Sequence, residues 1–372
     1  MINGFCHIKD GNNFILTQKR ITLRHYLWNP RSCFFRIFFA AVICFILLRL
    51  IYQINRPLFS TFINNESIRE SSKQSINFTI AFSNVQKNYQ MEKPEIDPCN
   101  GKQIKLLVLI MSRRNTLFKR MGIRKSWAKD KNKRIVIRYV IGGPKSDEEN
   151  STFVENELLM EQRKYKDLIR YTIPDGYENL HFKMGAAFQW QQKWCPNAEY
   201  IMKTDDDTIV DLPRWEFWTD RKFKKDVEKV PNKAVFFGMR LEEIEPIRDP
   251  NHKWYVSVEH FPGKFFPFYM QGASYFGTNN AINLIMSHTK EVIGFNMDDI
   301  VFTGTLADIA NVTRLDYGYY HFRGGNPLMT DEHCEGGIPT IITYFEQFKE
   351  IKEYIESYNK MHWLTCKLNS EE

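Results

Sequence analysis

The chain has 372 residues, 43% of them hydrophobic and 26% charged, with 29 Phe and 8 Trp. This length and composition allow one large or two ordinary domains and exclude wholesale disorder, a collagen-like repeat or a low-complexity protein. Of the formal net charge of +7, residues 1–52 carry all but one unit, so the basic balance makes no case for nucleic acid as a partner.

The first predicted element is apolar. Residues 34–52 read FFRIFFAAVICFILLRLIY, and Arg36 and Arg49 near the ends can snorkel to lipid headgroups. A buried core helix would carry a polar face, and this stretch has none. A cleaved signal peptide is the other alternative. The long basic lead and the lack of a small-residue cleavage site favour an uncleaved signal-anchor. The positive-inside rule then places residues 1–33 in the cytosol and everything after 52 in a lumen. So short a span suits the thinner early-secretory and Golgi bilayers.

Glycosylation triplets at Asn65, Asn77, Asn150 and Asn311 all lie beyond the span. So do Cys99, Cys195, Cys334 and Cys366, an even set without CxxC spacing. They predict one or two disulfides rather than a zinc site. Three connectivities are open; Cys334–Cys366, nearest in sequence, is slightly favoured.

Residues 53–100 are rich in Asn, Ser, Gln and Lys without a sustained period and read as a lumenal stem. Residues 101–372 read as the catalytic domain. Continuous apolar runs at 104–111, 134–141, 168–173 and 200–203 predict buried strands. Helical patterns through 127, at 151–166 and at 178–194 alternate with them, which implies an α/β fold with a largely parallel sheet covered by helices. Beyond residue 230 the pattern shortens, with helices predicted near 279–288, 299–310 and 339–360.

Three consecutive carboxylates, Asp205, Asp206 and Asp207, follow the fourth strand directly. Ligands of parallel α/β sheets bind at that edge. Three like charges there call for a compensating cation, such as a hard divalent ion bridging to a diphosphate. The bland alternative is a solvated acidic loop. Arg113, Arg114, Arg120 and Arg124 follow the first strand and suit phosphate oxygens, although a basic helix surface is the ordinary reading of such a cluster. Neither a GxGxxG nor a Walker loop is present. Asp298 and Asp299 stand at a predicted helix start, where N-capping is the alternative. His321 lies among aromatic residues, where most histidines are structural.

The order of motifs resembles the β-1,3-glycosyltransferase family of type II Golgi membrane enzymes, which includes β-1,3-galactosyltransferases and β-1,3-N-acetylglucosaminyltransferases. The residues that carry the resemblance are Arg120-x-x-Ile123-Arg124-x-Ser126-Trp127, Glu161 with Tyr165-x-Asp167-Leu168, Asp175-x-Tyr177-x-Asn179-Leu180-x-x-Lys183 and Lys203-Thr-Asp-Asp-Asp207. Further on come Lys253-Trp-Tyr-Val256, Phe266-Pro267-x-Tyr269-x-x-Gly272-x-x-Tyr275 and Asp298-Asp-Ile-Val-Phe-Thr-Gly304. The resemblance implies a GT-A fold and inverting transfer of galactose or an N-acetylhexosamine from UDP to a glycan on glycoprotein or glycolipid.

It also implies Mn²⁺ held at Asp207, with Asp205 at the metal waters or donor ribose and His321 as a second ligand. Arg120, Arg124, Lys203, Asp205 and Asp206 would face the donor. The acid pair would supply the general base, with Asp299 expected as base and Asp298 as cap or acceptor contact. The acid-to-glycine segment is one residue longer than the commonest form, and the stretch after Gly272 lacks a second glycine. The rivals are a catalytically silent lumenal relative that binds glycans or acts as a chaperone, and a metal-dependent hydrolase. The donor sugar, the acceptor and homo-oligomerisation are not readable at this level.

Overall fold

The computed structural model describes residues 74–99, 101–147, 150–324 and 333–366. The apolar segment 34–52, the basic tail and Asn65 lie outside them. Among the described residues no helix is long and apolar enough to cross a membrane.

The central sheet grows from strands whose side chains are apolar on both faces. β1 (Ser75–Ala81) and β2 (Gln86–Glu92) form a hairpin, followed by β3 (Leu106–Met111), β4 (Ile135–Gly143), β5 (Leu168–Pro174) and β6 (Tyr200–Asp205). A short β7 (Thr208–Val210), then β8 (Val235–Leu241), β9 (Tyr269–Thr278) and β10 (Thr313–Asp316) come next. The strand order is β1-β2-β5-β4-β3-β6-β9-β8-β10. β5, β4, β3 and β6 run parallel, whereas β9 is antiparallel to both β6 and β8, and β2 to β5. The sheet is therefore mixed, with a parallel centre and antiparallel flanks.

β3 is buried along almost its whole length, and its alternation divides the core. Leu107 and Leu109 join one apolar layer, Leu106, Val108 and Ile110 the other. Helix α3 (Leu180–Trp194) packs into the first layer through Met184, Phe188 and Trp190. Helices α1 (Leu117–Lys125) and α2 (Thr152–Tyr165) pack into the second through Ile123 and Leu158, as does the C-terminal helix through Tyr354 and Tyr358. A Cβ on Gly122 of α1 would lie 2.4 Å from the Tyr354 ring, so glycine lets these two helices meet.

Two expectations change. Residues 75–92, read as stem, are strands of the main sheet. Their alternation is half-polar because the hairpin sits at the sheet edge, exposed on one face. The predicted helix 339–360 is shorter. Thr343–Phe345 forms a strand paired with β7 and with Phe322–Gly324, and only Ile351–His362 is helical. The β-branched and aromatic residues there favour the strand.

Both cysteine pairs are bonded: Cys99–Cys195 ties the approach to β3 to the end of α3, and Cys334–Cys366 closes 32 residues around the C-terminal helix. Asn77, Asn150 and Asn311 are all exposed.

Candidate active site

β3 and β6 end level, with Met111 opposite Asp205, and the acid triplet turns the chain from β6 into β7. The three carboxylates separate into different environments. Asp206 points inward. Its Oδ2 accepts from Ser112 Oγ at 2.8 Å and Thr116 Oγ1 at 3.0 Å, and its Oδ1 accepts from Lys119 Nζ at 2.9 Å. Tyr354 donates its hydroxyl to the Asp206 carbonyl at 2.5 Å. Held by these donors, Asp206 pins the turn.

Asp205 and Asp207 are open, with 40% and 35% of their side chains exposed. Desolvation raises both above the ordinary carboxylate range, each is raised further by neighbouring acids, and lysines oppose the rise. Lys203 donates to Asp205 Oδ1 at 2.8 Å, and Lys119 reaches Asp207 Oδ2 at 3.4 Å. Two hard oxygen ligands with frustrated charge suit a divalent cation that takes its remaining ligands from a diphosphate and water. A fuller protein cage does not form: among the described residues no group of three His, Cys, Asp or Glu gathers.

His321 sits elsewhere than expected. Its ring packs edge-on against Trp218, Phe223 and Tyr317. Burial pulls its pKa down to about 3, with Lys222 adding to the fall, so it is neutral. The register explains the separation: Phe322 is level with Val210, at the far end of β7 from Asp207.

The two arginines expected at the donor are committed to the core. Arg120 grips Glu161 with Nε at 2.8 Å and Nη2 at 2.7 Å. Arg124 bonds Asp167 at 2.7 and 3.0 Å, pairs with Glu161, and lies over the rings of Tyr139 and Tyr165. Arg120 also donates to Ser112 Oγ at 3.2 Å and to the carbonyls of Arg113 and Arg114, so it braces the turn after β3 from the α1 side. The two arginines lock α1 in place; such fork-shaped pairs hold geometry well. Arg113 stays exposed at the edge, and Arg114 pairs with Glu155 at 2.7 Å.

Lys203 connects the triplet to the second acid pair. Buried under the site, it donates to Asp205 and to the Gly272 carbonyl. Desolvation lowers its pKa, but Asp205, Asp298 and Asp299 outweigh that, so the ammonium stays charged. It acts as a strut beneath the acids rather than a surface donor contact. On its other side Gly272 faces Asp299: a Cβ there would lie 2.9 Å from Asp299 Oδ2. Asp299 Oδ1 accepts from the Ile300 N–H at 3.1 Å, and its carbonyl accepts from Thr303 Oγ1 at 2.6 Å. The capping contact expected of Asp298 is thus made by Asp299. Burial, then the neighbouring Asp298 charge, pushes the Asp299 carboxyl up to about 7.

One contributor escaped the reading of the sequence, and others were visible there only as motif residues without a role. Lys119, which touches two of the acids, was hidden as one more basic residue of α1; its place in the first helical turn after β3 was the available signal. Gly272 was visible only as part of a glycine pattern. Asp175 and Lys183 form a buried pair at 2.7 Å, and Lys183 also donates to the Ser112 carbonyl at 2.6 Å. Together they brace the loop that carries Tyr177. A cavity of about 510 Å³ lies at the opposite edge of the sheet, lined by Lys105, Tyr200 and Asn279 among others, away from these acids.

Residues 118–317, more than half of the chain, match the galactosyltransferase family. Among similar proteins, lactosylceramide 1,3-N-acetyl-β-D-glucosaminyltransferase of Homo sapiens is 24% identical over 62% of this chain and 61% of its own length. β-1,3-Galactosyltransferase 9 of Homo sapiens is 29% identical over 60% and 58%, and β-1,3-galactosyltransferase 5 of Homo sapiens 27% identical over 60% and 68%. The chain spans 61% of the length of the first of these relatives. Among solved structures, the galactosyltransferase LgtC in complex with donor and acceptor sugar analogues aligns with 69% of this chain and 97% of its own, at 8% identity and a TM-score of 0.34. By the family match, the chain belongs to the galactosyltransferase family.

Proposed function

We propose that the chain is an inverting hexosyltransferase of GT-A type. It transfers galactose or an N-acetylhexosamine from its UDP donor to a glycan acceptor on glycoprotein or glycolipid and forms a β-1,3 linkage. The observation that carries this reading is the division of labour between the two acid groups. Asp205 and Asp207 face solvent at the sheet edge, while Asp299, linked to them through Lys203 and Gly272, is a separate carboxyl lifted to about 7. A general base works best near the operating pH.

Asp207 and Asp205 would hold Mn²⁺, which when bound neutralises charge on the leaving diphosphate. Lys119 would add positive charge beside the same oxygens. Asp299 takes the proton from the acceptor hydroxyl as that oxygen attacks the anomeric carbon from the face opposite UDP. Lys203 holds Asp205 in place and stabilises the charge that Asp299 carries before it accepts the proton. The relatives named above, which act as 1,3-transferases, support the linkage. The apolar stretch at 34–52 and the lumenal sequons support a type II protein anchored in the Golgi membrane.

The test is a donor screen on detergent-solubilised protein with Mn²⁺, scoring UDP release from each UDP-sugar with and without acceptors, and reading the product linkage by NMR. UDP release stimulated by acceptor and a β-1,3 product are expected. No release from any donor would defeat the reading.

A further inference from the structure

The acid triplet is reached from the far end of the chain. Asp206 and Asp207 form the turn between β6 and β7, and the carbonyls of a surface turn are ordinarily left to water. Here the C-terminal segment takes two of them. Tyr354, wholly buried in the C-terminal helix, donates its hydroxyl to the Asp206 carbonyl at 2.5 Å. The Glu346 N–H, directly after the strand Thr343–Phe345, donates to the Asp207 carbonyl at 3.2 Å. Both donors lie beyond the residues 118–317 that match the galactosyltransferase family.

A bond to a carbonyl orients a whole peptide unit, because that unit is planar. The planes on either side of a Cα define its φ and ψ. Tyr354 holds the plane before Asp207 and Glu346 the plane after it, so together they set the direction of the Asp207 Cβ. The carboxylate has a looser hold of its own: Lys119 Nζ lies 3.4 Å from Asp207, against 2.9 Å from Asp206. The segment that does the holding is itself anchored. Thr343–Phe345 pairs with β7. Arg214, buried, donates to the Ile341 carbonyl at 2.7 Å and to the Met361 and His362 carbonyls at 3.1 Å, so one guanidinium joins the approach to this strand to the end of the helix. The Tyr354 ring packs on Phe348, with centroids 4.3 Å apart, and against Gly122 of α1. The Cys334–Cys366 bond closes the stretch covalently.

We infer that Tyr354 is a positioning residue for the carboxylate proposed to hold Mn²⁺: its hydroxyl, with the Glu346 N–H, fixes the backbone of Asp207 so that the side chain faces the ion and the diphosphate. This rests on the metal role proposed above for Asp207. Tyr358, one turn further along the same helix, is the matched control. It is equally buried, but its hydroxyl donates to Asp130 and not to the triplet.

The probes are UDP and Mn²⁺, with the full chain in detergent. Tyr354→Phe keeps the ring against Gly122 and removes only the hydroxyl. The Kd for UDP with Mn²⁺, read by calorimetry, should rise about three- to tenfold, the scale of one hydrogen bond. The Mn²⁺ concentration for half-maximal turnover should rise with it, while kcat at saturating Mn²⁺ stays within about twofold, since the acids themselves are intact. In metal-free protein, hydrogen exchange of the peptide covering 204–210 should quicken severalfold. Tyr358→Phe should lower Tm by a similar amount, because it too leaves a buried polar group unpaired, yet keep UDP affinity and this exchange within about twofold of wild type. A Tyr354→Phe protein with either reading unchanged overturns the inference. So does a Tyr358→Phe protein that loses as much UDP affinity, because the effect would then lie in the stability of the helix and not in the hydroxyl. If wild type binds no UDP in the presence of Mn²⁺, the metal reading of Asp207 falls and the inference with it, an outcome that shows before any substitution and is distinct from the other two.

Discussion

Removing the charge from Asp299 should do two opposite things, and both follow from its place in the structure. Its carboxyl is desolvated and sits beside Asp298, which lifts it from the usual value of 3.8 to about 7. In the unfolded chain it titrates near the ordinary value, so the native state holds this proton more tightly. Stability on this account falls as pH rises from about 4 to about 7, and the full cost is present above 7. A shift of that size corresponds to roughly 2–4 kcal/mol, allowing for the charge it shares with Asp298. Asp299→Asn should therefore raise Tm at pH 8 by about 4–10 °C. The gain should vanish below about pH 4, where both forms are neutral.

The same substitution should cut kcat by about 10²–10⁴-fold through loss of the general base. In wild type, kcat/KM should climb with pH up to about 7 and then level off, because only the deprotonated carboxyl accepts the proton. Differential scanning fluorimetry at pH 4 and pH 8, paired with UDP-release kinetics on both proteins, measures the two effects together. A variant less stable than wild type at pH 8, or one with unchanged kcat, would refute the reasoning. A dead Asp298→Asn beside an active Asp299→Asn would assign the base to the other acid.

Asp207→Ala should abolish transfer and remove the Mn²⁺-dependent part of UDP binding while leaving the fold intact; turnover in excess EDTA would disprove the metal role. Gly272→Ala places a methyl 2.9 Å from Asp299 Oδ2, so kcat should drop about tenfold or more with little change in UDP affinity, the signature of a displaced base. Lys119→Met removes the cation between Asp206 and Asp207. It should strengthen Mn²⁺ binding in calorimetry without nucleotide, yet weaken UDP. Protease treatment of intact microsomes should trim only a short cytosolic tail, and a glycosidase should then shrink the protected fragment.

The legible part of the fold was its parallel centre. Strands such as β3 and β4 are apolar on both faces, and nothing but a sheet covered on two sides accommodates them. The edge hairpin at 75–92 was missed because an edge strand needs only one apolar face, and Asn, Gln and Lys on the other mimic a linker. In the site, the triplet was legible because carboxylates after a buried strand have few other uses. Which acid does what was not. Asp206 looks identical to its neighbours in sequence, and only the arrival of Ser112, Thr116 and Lys119 from a different strand–helix turn turns it inward.

Arg120 and Arg124 show why charge type alone misleads. Both are followed by apolar partners at helical spacing, and Glu161 and Asp167, far along the chain, claim their guanidinium groups. A buried arginine without such partners would be costly, so the two acids and two arginines have to be read as one unit. The resulting lock fixes α1, and α1 carries Lys119 to the triplet. Lys203 repeats the principle on the other flank: it is buried, it is balanced by Asp205, Asp298 and Asp299, and it joins β6 to β9 through Gly272. The sheet therefore separates two tasks by one strand. On the proposed reading, the carboxylates at the end of β6 would serve the leaving group and the carboxyl behind β9 the acceptor. The buried lysine keeps those charges close enough to share a field and too well anchored to exchange roles.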